Sequence, residues 1–402
     1  MAREYSEKAF LLEIDDYSLV EEYFKKRNIS GFSYSKEDKR KKKQVAQETA
    51  EKIEAVLRKQ PEQTQQEIER DFAYINNLAN EKGSQSLIAE ANDQKADVPL
   101  NTITELNNYD RAFWFFNKHP SVFEGAYAVQ QFYDLSGWKR VPVPSKEIDF
   151  VAGKNEALMS GLKKYYEQEA RGKYCYVDCY PKKDRIYVVA GVSDYAESDI
   201  RADEKTGKIY KGGTRRPFFE IYYLYRPSDE DGGELEIKAK GGWQKQRNLL
   251  GIFAKSVFDI ELDDSQQTFN LELLKDENFT IVSDPEDQME WWWLKMVELL
   301  TPDRQSRIKL TVSGESRTGT TAIWNLLRQL NLANKMPQMI INSADIQIKF
   351  KPSRKYQKGT VAFNINWKDK CTLNSIDETH LKARALLKKS KLDYGFTQKT
   401  SV

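Results

Sequence analysis

Cysteine and histidine are scarce in this 402-residue chain: three of the first (Cys175, Cys179, Cys371) and two of the second (His119, His380). Three thiols make no disulfide framework, so the cysteines are expected to stay reduced. A Cys/His zinc site would need nearly every available ligand from distant places. Cys175 and Cys179 lie four apart on an expected strand, facing one way but too far apart to share a metal easily. Long apolar runs are also missing. No stretch approaches the roughly 20 residues that a helix needs to cross a bilayer. The N-terminus carries Arg3, Glu4, Glu7 and Lys8 with no apolar segment behind them, unlike a secretory signal. A cytoplasmic protein with no membrane partner and no cofactor is expected. The chain also lacks a G-x-S-x-G elbow, an H-E-x-x-H helix and a G-x-G-x-x-G turn, so hydrolase, metalloprotease and dinucleotide readings have no support.

What is abundant is charge. Lys and Arg number 63 and Asp and Glu 61, a formal net charge of only +2, in a chain that is 40% apolar and so able to build a core. At roughly 150 residues per domain, two or three domains are expected. The fold class expected is α+β. A helical N-terminal region (1–98) precedes an acidic α+β middle domain with an antiparallel sheet (99–283) and a smaller basic α+β C-terminal module (284–402).

The pattern supports this as follows. Phe10 to Ile14 reads as a short strand, and Asp15 to Lys26 as a helix with Leu19, Val20, Tyr23 and Phe24 on one face. Thin apolar stripes (Ile53, Val56, Leu57; then Ile68, Phe72, Ile75, Leu78) predict long, mostly solvated helices over 34–81, while 82–97 reads as a loop or weak helix. Residues 101–135 are the most apolar helical block, broken at His119-Pro120, where the histidine contacts the last turn. Val141-Pro142-Val143-Pro144 reads as an extended connector. A helix near Glu156 to Gln168 precedes four antiparallel strands, Lys173–Tyr180, Arg185–Gly191, Arg216–Tyr225 and Glu234–Lys240, and then a helix from Trp243 to Phe258. Asp284-Pro285 reads as the start of a helix containing Trp291-Trp292-Trp293, wedged between domains or offering a base-stacking surface. Strands at Arg307–Val312, Gln338–Phe350 and Thr360–Trp367, a helix at Thr320–Leu332 and a last helix opened by a capping box at Ser375 complete the chain.

The near-neutral total conceals an asymmetry. Residues 301–402 hold 19 Lys and Arg against 7 Asp and Glu, a net charge of +12, which leaves −10 for the first 300. A module so charged repels itself, and a polyanion relieves that repulsion. The candidate nucleic-acid-binding residues are Lys349, Lys351, Arg354, Lys355 and Lys358 around one turn, Trp367 and Lys368 at a strand end, and Lys388, Lys389 and Lys391 on the last helix. A second basic run, Lys36 to Lys43, opens a long helix, where cations oppose the helix dipole.

The function expected is a non-enzymatic accessory protein that contacts the DNA or RNA backbone through the basic module. Its acidic first 300 residues would meet other protein subunits. A Lys- and Asn-rich composition fits a prokaryotic source and a multi-protein system such as antiphage defence. Two rivals stand beside it. Glu236-Ile237-Lys238 matches the E-x-K half of a metal-dependent nuclease, with Asp178 or Glu220 as second carboxylate, and Gln347-Ile348-Lys349 beside Asp345 is a weaker version. Alternatively the chain is a protein scaffold whose basic module docks on an acidic surface. Gly314 to Thr321 sits where a P-loop would, after a strand and before a helix, but Thr320 replaces the phosphate-binding lysine, leaving at most a phosphate at a helix N-terminus.

Overall fold

In the computed structural model, helices and a large antiparallel sheet make up the chain, so the α+β expectation holds. The structure describes residues 5–34, 42–148, 153–202, 206–227, 232–262, 268–313, 319–351, 359–366, 370–373 and 376–393. The fold has two units, residues 1–134 and 135–402. The single division thus falls after Asp134, where the sequence suggested boundaries after 98 and after 283.

Among the described residues the first unit is all helical: α1 (Glu7–Leu12), α2 (Ser18–Lys26), α3 (Lys42–Leu57), α4 (Glu62–Leu78), α5 (Glu81–Asp93), α6 (Leu100–Glu105), α7 (Asn108–Lys118) and α8 (Pro120–Asp134). Phe10 to Ile14 is not a strand. The Ser6 side chain accepts the Ala9 N–H and caps α1, which turns Phe10 and Leu11 inward. Phe10 then packs 5.2 Å from Phe72 and 6.2 Å from Phe113. So short an apolar run has no periodicity to separate helix from strand, and the cap decides. Residues 82–97 likewise form the regular helix α5. The Asn80 side chain caps it, accepting the Gly83 N–H. Only glycine fits at 83, where a Cβ would lie 2.3 Å from the Leu78 carbonyl oxygen. His119 ends α7 as expected, its N–H donating to the Phe115 carbonyl.

One buried carboxylate in this unit is held by backbone donors. Asp110 is 2% exposed and accepts the backbone N–H groups of Asp15 and Asp16 at 3.0 and 3.3 Å. Burial pushes its pKa up to about 6 despite those two bonds.

In the second unit, ten of the described strands form one sheet in the order β2-β3-β6-β7-β1-β12-β11-β10-β8-β9. They are β1 (Lys139–Val143), β2 (Cys175–Pro181), β3 (Ile186–Ser193), β6 (Phe218–Arg226), β7 (Gly233–Lys238), β8 (Met289–Leu300), β9 (Arg307–Thr311), β10 (Ile340–Phe350), β11 (Thr360–Asn366) and β12 (Lys370–Cys371). A separate hairpin, β4 (Glu197–Ala202) with β5 (Ile209–Arg215), connects β3 to β6 and was not foreseen. Among the described residues the unit also has four α-helices, α9 (Lys154–Glu167), α10 (Trp243–Phe253), α11 (Thr321–Gln329) and α12 (Glu378–Lys389).

Two segments depart from expectation. Val141 to Pro144 is no connector, because β1 lies mid-sheet and pairs along its length with β7. Among the described residues, β12 pairs with β1 at Lys139, outside Pro142. Residues 289–300 form a strand, not a helix. Lys295 is an extra residue between Leu294, opposite Ile346, and Met296, opposite Asp345. The bulge spaces the core-facing Trp292, Leu294, Val297 and Leu299 by two, three and two, which resembles a helical stripe. Asp284 does cap, but only a single 3-10 turn, Pro285–Asp287.

The register shows that the helical cover changes sides. One row runs Ile237, Lys139, Lys370, Asn366, Ser343, Glu298, Lys309 across six strand pairings. Directly opposed residues share a face. Ile237 belongs to the core under α9 and α10. At the other end of the sheet it is the alternate residues, Ile365, Ala344, Val297 and Leu310, that enter the core under α11 and α12. The helices therefore cover one face of the β2-to-β1 half and the opposite face of the β12-to-β9 half.

Asp110 gives a testable consequence in the helical unit. Its pKa is raised on folding, so its contribution to stability is complete below about pH 4, the ordinary carboxylate range, and is lost as pH rises through about 6. A carboxyl-carbon NMR titration should place its midpoint near 6. Asp110→Asn should abolish the corresponding pH dependence of amide exchange in α2 and α7; a midpoint near 4 would refute it.

Candidate nucleic-acid interface

The helix-free face of the β12-to-β9 half carries the exposed polar chemistry. Cross-strand rows place Thr360 with Lys349 and Trp291, Ala362 with Gln347 and Trp293, and Asn364 with Asp345 and Met296 on this face. The row through Lys139, Lys370, Asn366 and Lys309 is its neighbour. A depression of about 230 Å³ opens here, lined by Lys295, Asp345, Gln347, Ala362, Asn364 and Thr372 among others. The Asn364 amide donates to Asp345 at 2.6 Å and the Trp293 indole N–H to the Gln347 amide oxygen at 3.0 Å. Those bonds fix the amides and occupy an Asp345 oxygen. Lys139 lies 3.8 Å over the Trp243 ring.

The sequence candidates separate on this framework. Lys349 is on this face and forms an ion pair with Glu290 at 2.9 Å. Lys351, just past β10, is exposed. Lys388 and Lys389 belong to α12, on the other side of the sheet, and both are bound to carboxylates. Lys388 meets Glu234 at 3.0 Å, and Lys389 meets Asp284 and Asp287 at 2.9 and 2.7 Å. Lys391 is exposed in the turn after α12. Arg354, Lys355, Lys358, Trp367 and Lys368 lie outside the described residues, as do Lys36 to Lys41 and the core of the P-loop-like segment. Lys139, Lys295 and Lys309 were missed. The alternation that marks their face is visible only once 289–300 is read as a strand and 141–144 as part of the sheet.

Lys388 belongs to a buried network on the covered side of the seam. Arg140 on β1 binds Glu234 at 3.1 Å and Asp393 at 2.6 Å. Arg384 on α12 binds Glu236 at 2.7 Å and lies 3.8 Å from Glu234, as does Arg226. Burial alone would raise the Glu234 carboxyl; Arg140, Arg384, Lys388 and Arg226 outweigh it and hold it well below the usual carboxylate range. Burial would likewise weaken the Arg384 cation, but Glu236, Glu234 and Asp393 drive its pKa upward.

This network removes the geometry a nuclease would need. Glu236 is 1% exposed and engaged by Arg384, while the Lys238 ammonium donates to the Ser136 carbonyl at 2.5 Å. Asp178 shares a row with Lys238, but β3 and β6 intervene. Glu220 accepts the Tyr222 hydroxyl. Among the described residues, no three His, Cys, Asp or Glu side chains are grouped to hold a metal ion, and no helix is long and apolar enough to cross a membrane. The three tryptophans of β8 do not form one stacking surface: Trp292 and Trp293 are 5% and 3% exposed, on opposite faces, and only Trp291 is partly exposed. Burial pushes the Cys175 and Cys179 thiols up to about 11 and 12, so both are poor thiolate ligands. No protein-family model matches the chain, and no curated protein matches it.

The network has a measurable cost of disruption. Arg384→Ala strands Glu236 in a buried site and is expected to destabilise the second unit by about 3–5 kcal/mol in denaturant unfolding. The double change Arg384→Met with Glu236→Leu should cost less than either single change, and Lys389→Ala, at an exposed pair, should be near neutral. A double variant worse than both singles would contradict the account.

Proposed function

We propose that the second unit binds nucleic-acid backbone on the helix-free face of β8 to β12, without chemistry of its own. The observation that carries the reading is the sidedness of the sheet. The rows that turn apolar side chains toward α11 and α12 leave Lys309, Lys349 and Lys370 with Gln347, Asn364 and Asn366 on the other side, and Lys295 lines the depression among them. Charge balance supports it. Residues 135–402 hold 44 Lys and Arg against 37 Asp and Glu, net +7, whereas residues 1–134 hold 19 against 24, net −5. Lysines contact phosphates as point charges, and amides donate to phosphate or sugar oxygens, so the contact would carry little base specificity. Binding would release condensed counterions and weaken steeply with salt. An accessory role beside other protein subunits, which the acidic first unit would meet, follows from the same charge division.

A specific observation favours a second reading, a scaffold whose basic residues serve protein contacts. Lys349, Lys388 and Lys389 are each already neutralised by a carboxylate of the chain. Salt-dependent binding of a labelled duplex separates the two. On the nucleic-acid reading, Lys295→Ala and Lys370→Ala should each lower the slope of log K against log salt by about 1. Lys389→Ala should leave it unchanged. No binding of DNA or RNA by the full chain at low ionic strength would defeat the proposal.

A further inference from the structure

We infer that the outer edge of β2 takes up a basic peptide, which adds to the sheet as a further strand and lays arginine side chains against Tyr176 and Asp178. The site is at the far end of the sheet from the basic face and does not rest on the nucleic-acid reading. β2 closes the strand order, with β3 on one side and, among the described residues, no strand on the other. Sheet edges are commonly blunted by charge, above all by lysine. From Cys175 to Pro181 β2 has a single charged residue, Asp178.

Two bonds fix which backbone groups of β2 point outward. The Ser193 N–H donates to the Tyr174 carbonyl, and the Lys182 N–H to the Arg185 carbonyl. Bonded residues alternate along an antiparallel pair. Tyr176, Asp178 and Tyr180 therefore turn their backbone groups toward β3, in register with Gly191, Val189 and Tyr187. Cys175, Val177 and Cys179 turn theirs away from it, and among the described residues those groups make no backbone bond. Pro181, which has no N–H to offer, falls in the same outward phase, where a sheet tolerates proline. Three successive outward residues make a short template for one more strand.

The face beside that edge selects the partner. Tyr176 and Asp178 lie on the side of the sheet that α9 and α10 leave uncovered, and the row of Tyr176 runs through Gly191 to Glu220. The Tyr176 ring, 38% exposed, lies on Gly191, where a Cβ would be 2.0 Å from it, and Phe218, 47% exposed, is 5.9 Å away between centroids. Two carboxylates stand beside these rings with no ion pair: Asp178, whose pKa burial raises, and Glu220, which accepts the Tyr222 hydroxyl. Neighbouring rings already take cations of the chain. Lys173 lies 5.3 Å over Tyr174, and the Arg171 guanidinium 4.4 Å over Tyr195. Rings with uncompensated carboxylates attract an organic cation and repel an anion. Arginine satisfies both, because its guanidinium stacks on an aromatic face and pairs with a carboxylate. In an added strand the residues opposite Tyr176 and Asp178 are two apart and project to this same face. A peptide with arginine at alternate positions meets ring and carboxylate together, while its backbone bonds to Cys175, Val177 and Cys179.

The test uses the full chain and a labelled peptide that alternates arginine and threonine. Amide exchange followed by NMR should show protection on binding at Cys175, Val177 and Cys179, with Tyr176 and Asp178, already bonded to β3, unchanged. In fluorescence anisotropy, Asp178→Asn with Glu220→Gln should weaken binding about fivefold or more, as should Tyr176→Ala, while Tyr176→Phe should retain it. A peptide N-methylated at alternate residues should lose most of its binding, and one with glutamate in place of arginine should not bind. No binding of the arginine peptide at millimolar concentration overturns the inference, and so does equal binding of the glutamate peptide. Binding that survives both the carboxylate and the Tyr176→Ala variants, with the three amides unprotected, overturns it in favour of another acidic surface. Protection of those amides by an oligothymidylate and not by the peptide overturns it in favour of nucleic acid. Should a variant fail to fold, amide exchange on the wild type decides by itself. Lys295→Ala with Lys370→Ala should leave peptide binding unchanged, so this inference and the proposed function fail separately.

Discussion

A buried ionic network ties the two halves of the large sheet together. Among the described residues, β12 pairs with β1 at Lys139 with Lys370. At that point the covering helices also change sides, so no apolar layer runs unbroken beneath the seam. The ionic network fills this gap. Arg140, Glu236 and Glu234 on the β1–β7 side are tied to Asp393, Arg384 and Lys388 respectively, from the end of the chain, and α12 in turn packs Ala383, Leu386 and Leu387 into the core of the other half. Hydrophobic side chains of equal volume could give as much stability. They would not fix which residues of α12 oppose which of β7.

The network changes the meaning of the basic tail. A count over residues 301–402 treats every Lys and Arg as available to a polyanion. Arg384, Lys388 and Lys389 are structural counter-charges, and the acids they neutralise belong to the segment before residue 300. The asymmetry of +12 against −10 is therefore partly an internal pairing written along the chain. On the proposed reading, the cations open to a polyanion form a face, not a module, and Lys295 belongs to that face as well as residues of the tail.

Elements whose sequence period agrees with their environment were legible. The strands of 173–240, the helices α9 to α12 and the aromatic helices of the first unit follow their patterns closely. The failures have separate physical causes. In Phe10 to Ile14 a cap outweighed β-propensity. In Val141 to Pro144 two prolines read as a connector, yet Pro142 pairs with Glu234 inside the sheet. In β8 one bulged lysine turned a period of two into the semblance of a helix, and that single residue hid both the face on which Lys295 and Lys309 lie and the burial of the tryptophans. The hairpin, with three glycines at 207, 212 and 213 and mixed charge in β4, has too little alternation to announce two strands. The ion pairs of α12 were beyond reach for another reason: they join residues about 100 to 150 positions apart, and nothing local in either partner encodes the match.

A sheet covered by helices on one face throughout would leave one bare face of one character. Here the cover crosses over at the seam, so two half-faces are left bare, on opposite sides and at opposite ends. Their chemistry differs. The β12-to-β9 half presents lysines and amides, whereas the outer end of the β2-to-β1 half presents the exposed rings of Tyr176 and Phe218 with Glu220 in the cross-strand row of Tyr176, a surface of mixed character that the covering helices of neither half impose.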